Sequence, residues 1–205
     1  TLSSDSEQLA TFSQQVYGLT HADVPSGFTF PSWEAALRTL GELPMQPKPI
    51  IVLDEFTYLI SGNKAIPSIL QKVWDETLKN SQIMMVLCGS YIGMMETEVL
   101  GYQAPLYGRR TASTLLRPMD LASSALFFPD YSAEEKFITW AIVGGMPYYL
   151  RTFQGSQDVF SNIRQHILDA QSGTLFNEPR LLLMEELREP RNYFSILRAI
   201  AQGRT

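Results

Sequence analysis

The chain has 205 residues, 45% hydrophobic and 18% charged, a balance that supports a sizeable core and argues against global disorder. Sixteen Lys and Arg against 21 Asp and Glu leave a net charge of -5, so no overall basic field draws in nucleic acid or an anionic membrane. A single cysteine, Cys88, excludes disulfide frameworks and cysteine-based zinc sites within one chain and fits a reducing, cytoplasmic setting.

In chain order, "SSDSEQLATFSQQV" offers Ser and Asp caps ahead of Leu9, Phe12 and Val16 on one helical face. "GLTHADVPSGFTF" is a loop, and Ser32 caps a helix carrying Trp33, Ala36, Leu37 and Leu40 on one side. Three prolines in "PMQPKP" break that helix and lead into "IIVL", Ile50 to Leu53, a continuous apolar strand. After the loop "SGNKAIPS", a helix follows with Ile66, Ile69, Leu70, Val73 and Trp74 as its apolar stripe. "SQIMMVLC" is a second apolar strand, "GSYIGMMETEVL" a loop and short helix, and "ASTLLRPM" a third, shorter strand. Strands alternating with helices predict an α/β domain with a mainly parallel sheet covered on both faces. From about Ala122 the pattern turns helical, near 133–143, 147–153, 156–171, 180–188 and 191–202, which puts a boundary near Asp120. The first residue is Thr1 rather than Met, and the expectation is a piece of a longer protein.

The first strand ends in two adjacent carboxylates, Asp54 and Glu55. In open parallel sheets a ligand sits beyond the carboxyl ends of the strands. An Asp there can hold a magnesium ion, and a neighbouring Glu can orient or deprotonate water attacking a terminal phosphate. A strand that merely stops at a polar loop would look the same. "VLCGSY" delivers Ser90 to the same sheet edge, where a hydroxyl can sense a phosphate or, equally, cap a turn. "PLYGRRT" adds Arg109 and Arg110, suited to offsetting phosphoryl charge or to a solvated loop. "AIVGGMPYYL" places Pro147 at the first position of a helix after a glycine turn. His21 and His166 have no metal-ligand spacing, and Ser90 lacks the G-x-S-x-G elbow and His partner of an α/β hydrolase.

The succession "IIVLDEF", "LQKVWD", "VLCGSY", "PLYGRRT", "VGGMPYYL" and "NEPRLLLMEELREPRNYFSILRAIAQG" resembles the archaeal-type STAND branch of AAA+-like P-loop ATPases, often associated with a DUF234-type C-terminal region. The resemblance implies ATP and Mg2+ as ligands, with Asp54 the magnesium-side acid of Walker B and Glu55 the catalytic one. It further implies Ser90 at sensor 1, Arg109 or Arg110 as an arginine finger or sensor, and Pro147 at the adenine. It divides the chain into an ATPase core (1–120), a helical lid (121–188) and the start of a winged helix (189–205). DNA contact through the completed winged helix, or a protein partner or self-association, belongs to the same picture. One departure stands out: no G-x-x-x-x-G-K-[ST] phosphate loop occurs in the 205 residues. The chain as given is therefore expected to bind ATP poorly, and a sheet lacking that loop's strand and helix is expected to expose an edge and an apolar face. The alternative is a non-catalytic protein- or DNA-binding scaffold of the same fold.

Overall fold

The computed structural model describes residues 4–44, 47–187 and 190–203. The chain divides into two compact units, Thr1–Ser113 and Thr114–Thr205.

The first unit opens with α1 (Asp5–Gly18), where Ser4 and Glu7 form a reciprocal capping box. Within α1, the buried Ser13 hydroxyl accepts from Phe30 N at 3.0 Å, and Asp5 accepts from Trp33 Nε1 at 2.8 Å. These two bonds tie the loop after α1 back onto it. Ser32 caps α2 (Trp33–Thr39) through Ala35 N. Strand β1 (Ile50–Leu53) leads directly into α3 (Phe56–Gly62), and α4 (Ile66–Glu76) returns the chain to β2 (Met84–Leu87). The two strands pair in parallel, Ile50 with Met84 through Leu53 with Leu87. A short helix α5 (Ile92–Met94) continues into a π-helical turn, Met95–Leu100.

Apolar residues on one face of this α/β unit make its core. Phe56, Ile60, Leu40 and Val73 are fully buried, with Ile51, Leu87 and Met85 packed against them. The opposite face of the sheet is open: Ile50 is 63% exposed, Val52 55% and Met84 51%. The expected cover on both faces is thus present on one face only among the described residues, because α1 to α4 all serve the same core. The third strand expected at "ASTLLRPM" does not form. Residues 112–119 have no strand neighbour, and Leu116 is 90% exposed. The residues between Glu55 and the loop expected at "SGNKAIPS" form α3, since Phe56, Thr57 and Ile60 bury one helical face.

The second unit is helical: α6 (Leu121–Ala125), α7 (Ala133–Val143), α8 (Pro147–Thr152), α9 (Val159–Ile163) with a π-helical extension Arg164–Leu168, α10 (Glu178–Glu186) and α11 (Pro190–Ala201). Its core gathers Phe128, Tyr131, Leu150, Phe153, Val159 and Leu175. Buried Asn162 ties that core together: its Nδ2 donates to Tyr131 Oη at 2.9 Å and its Oδ1 accepts from Gln154 N at 2.8 Å. Among the described residues, none of α10 or α11 joins this core; Leu181, Leu182 and Met184 of α10 lie exposed. The boundary expected at 188–189, with Arg188, falls outside the described residues.

Candidate functional site at the carboxyl end of the strands

Past Leu53 and Leu87 the backbone ladder runs one step further. Cys88 N donates to Leu53 O at 3.0 Å, and Phe56 N donates to Cys88 O at 2.7 Å. This extension holds the two strand ends in register at the point where the acids and the hydroxyl leave. Glu55 then turns with φ 50° and ψ 44°, the left-handed region, alone among the described non-glycine residues. Such a conformation costs a non-glycine residue about 1–2 kcal/mol and persists only where its surroundings impose it.

The turn aims the Glu55 carboxylate across the strand ends. Its Oε2 accepts from Ser90 Oγ at 3.1 Å and lies 3.5 Å from Ser90 N. Asp54 is exposed, and its Oδ1 accepts from Glu55 N at 3.1 Å. Gly89 lets β2 reach this point: a Cβ there would stand 2.9 Å from Met95 Sδ and 3.0 Å from Thr57 Cγ2. Asp54, Glu55 and Ser90 therefore meet at one edge of the parallel pair. Ser90 Oγ has a carboxylate, not an imidazole, as its partner.

The arginines are placed elsewhere. Arg109 grips Asp75 through Nε at 3.0 Å and Nη2 at 2.6 Å, and its Nη1 donates to the carbonyls of Pro105 and Tyr107. Asp75 lies in the last turn of α4, which runs back from the site end to the start of β2, so this pair marks the amino edge of the sheet. The guanidinium holds the Asp75 carboxyl below the ordinary aspartate range, and Asp75 in turn raises Arg109. Arg110, on the same turn, is exposed and makes no hydrogen bond or ion pair with the described residues. Pro147 sits in the second unit, at the first position of α8 after Gly144 with φ 67°. The Asp75 partner of Arg109 lies 34 positions away, and no local pattern announces it.

A cation at the site would draw on few protein ligands. Among the described residues no three His, Cys, Asp or Glu side chains cluster as a metal cage. One exposed Asp carboxylate beside a second acid suits Mg2+, which keeps waters and takes substrate phosphates as further ligands. The residues present fit that ion.

Residues 5–153 match the family of ATPase domains found predominantly in Archaea. The chain belongs to that family. Two proteins of Methanocaldococcus jannaschii resemble the chain. "Uncharacterized protein MJECL04" is 33% identical over 171 residues, which is 83% of this chain and 37% of that protein. "Uncharacterized protein MJ0424" is 44% identical over 43 residues, 21% of this chain and 42% of that protein. The matched segments thus cover less than half the length of either relative. No helix among the chain's described residues is long and apolar enough to cross a membrane.

Proposed function

We propose that the chain carries the acid-and-sensor portion of a STAND-type, AAA+-like ATPase core, followed by a helical lid and the first helix of a winged domain. The observation that supports this most is the Ser90–Glu55 hydrogen bond beside Asp54, at the carboxyl end of a parallel strand pair. Asp54 is the residue to hold Mg2+, which when bound supplies charge neutralisation at the β- and γ-phosphates. Glu55 orients the attacking water and accepts its proton. The Ser90 hydroxyl fixes the Glu55 carboxylate and is placed to read the terminal phosphate. Of the two arginines, Arg109 is engaged with Asp75, and Arg110 is assigned to a phosphate on the family resemblance alone. Pro147 is assigned to the adenine side on the family resemblance alone.

The missing piece is the phosphate loop, whose backbone N–H groups and Lys would cradle the nucleotide. The open sheet face at Ile50, Val52 and Met84 gives a strand-and-helix segment carrying such a loop an apolar seat. The 205-residue chain alone is therefore a poor nucleotide binder.

Isothermal titration of ATP–Mg2+ into the chain tests the first half of this proposal; micromolar affinity refutes it. In a longer form that binds ATP, Glu55→Gln tests the second half. Binding persists while turnover falls by about two to four orders of magnitude if Glu55 acts as general base. Unchanged turnover refutes Glu55 as the base, and no turnover in the parent leaves the fold as a scaffold.

A further inference from the structure

Residues 110–120 are all exposed, and the division between the two compact units falls inside this stretch, between Ser113 and Thr114. Among the described residues, the apolar core of the first unit ends at Leu106 and that of the second begins at Phe127. Residues 110–118 make no hydrogen bond with the described residues, through backbone or side chain. Fixing each of them in one conformation costs entropy that neither buried area nor a bond offsets.

Both ends of the stretch, by contrast, are held. Upstream, Arg109 grips Asp75 of α4 and the carbonyls of Pro105 and Tyr107, which closes the turn at Gly108 (φ 74°) onto the first unit. Downstream, Met119 N donates to Gly145 O at 2.8 Å, and Met119 O accepts from Trp140 Nε1 at 3.2 Å. A Cβ on Gly145 would overlap the Met119 backbone, so only glycine admits the chain this closely. Asp120 then caps α6 through Ser123 N.

We propose that residues 110–118 are a hinge on which the second unit turns independently of the first, with Arg109 and Met119 as its fixed ends. Pro118 holds Arg117 extended beside the Met119 end, so the bending concentrates nearer Arg110. The Arg109 end is the adjustable one. Its pair with Asp75 is 27% and 40% exposed, a hold that solvent and salt weaken. Releasing it frees Tyr107 and Gly108 as well, and the slack then runs back to buried Leu106. Neither end involves Asp54, Glu55 or Ser90, so the hinge stands apart from any nucleotide chemistry at that edge.

Spin labels on Gln14→Cys in α1 and Glu134→Cys in α7, both exposed helical positions, test this by pulsed electron spin resonance in a Cys88→Ser background. A flexible tether of this length spans on the order of 15 Å or more. The distance distribution is therefore expected to be about twice as broad or more as that of a pair within the second unit, Glu134→Cys with Phe160→Cys. Thr111→Pro, Ser113→Pro and Leu115→Pro together, which no described bond or core contact opposes, should narrow it, because proline-rich tethers are semi-rigid. Asp75→Asn should broaden it. In the unlabelled parent, the amides of residues 111–117 should exchange at least ~100-fold faster than those of Arg109 and Met119. A distribution as narrow as the control pair overturns the hinge, as do slow exchange across 111–117 and a breadth indifferent to the three prolines. A breadth unchanged in Asp75→Asn overturns Arg109 as the adjustable end.

Discussion

Gly89→Ala tests how tightly the site is built. Gly89 has no positive φ, so a methyl group there is compatible with the backbone and, through the unfolded chain, would by itself stabilise by about 0.4–1 kcal/mol. The structure opposes that gain. The new Cβ would meet Met95 Sδ at 2.9 Å, Met95 Cγ at 3.0 Å and Thr57 Cγ2 at 3.0 Å, against an ordinary carbon separation of about 3.5–4.0 Å. Met95 can swing aside, but Thr57 is β-branched and 4% exposed on the buried side of α3. Overpacking of this kind costs about 1–3 kcal/mol, so the net expectation is a loss of about 1–2 kcal/mol. Urea unfolding followed by the fluorescence of Trp33 and Trp74, in a Trp140→Phe background that silences the second unit, reads this loss. With a urea slope of about 1–3 kcal/mol/M, the midpoint falls by roughly 0.5–1 M. Adding Met95→Ala restores part of it, because two of the three close atoms are then gone. A Gly89→Ala protein as stable as its parent, or more so, refutes the close-packing argument.

Glu55→Gly removes the left-handed strain and is expected to stabilise the first unit by about 1 kcal/mol in the same assay while deleting the proposed base; a destabilised variant would mean that the Ser90 bond outweighs the strain. Asp75→Asn probes the Arg109 clamp. The folded carboxyl titrates below its ordinary value because of Arg109, so its contribution is full above the unfolded pKa near ~3.9 and fades as pH falls through the lower folded value. The variant should melt below the parent at pH 7, with the gap closing toward pH 3 and shrinking in salt, since the pair is partly exposed. In the second unit, Asn162→Ala leaves the Gln154 N–H without its acceptor and removes the bond that the Tyr131 hydroxyl accepts, and should cost about 2–3 kcal/mol by urea unfolding followed through Trp140; a change under about 0.5 kcal/mol would place water in its stead.

The sequence makes the site easier to read than the sheet around it. Runs such as "IIVL" and "MMVL" announce strands because no helix of the unit needs four consecutive apolar residues, and the acids and Ser90 follow from where those runs stop. The same runs mislead about burial, since Val52 and Met84 look like core while facing outward. "ASTLLRPM" has strand composition, yet a strand exists only with a neighbour, and pairing is not a local property. No capping side chain marks the helix over "FTYLIS"; burial of Phe56 and Ile60 on one face holds it. Arg109 carries no sign of Asp75, because an ion pair across 34 positions is decided by packing. The helix read near 133–143 forms as α7, opened by a capping box of Ser132 and Glu135.

The parallel register carries a kinetic consequence. Ile50 and Met84, paired in the sheet, stand 34 positions apart in the chain, and the intervening crossover must fold back before the first inter-strand bond can close. The contact between Glu55 and Ser90 spans that same excursion. Any opening that frees the crossover therefore disassembles the acid–hydroxyl pair at once, so hydrogen exchange at Cys88 and Phe56 amides should track the unravelling of this half of the molecule rather than local fraying.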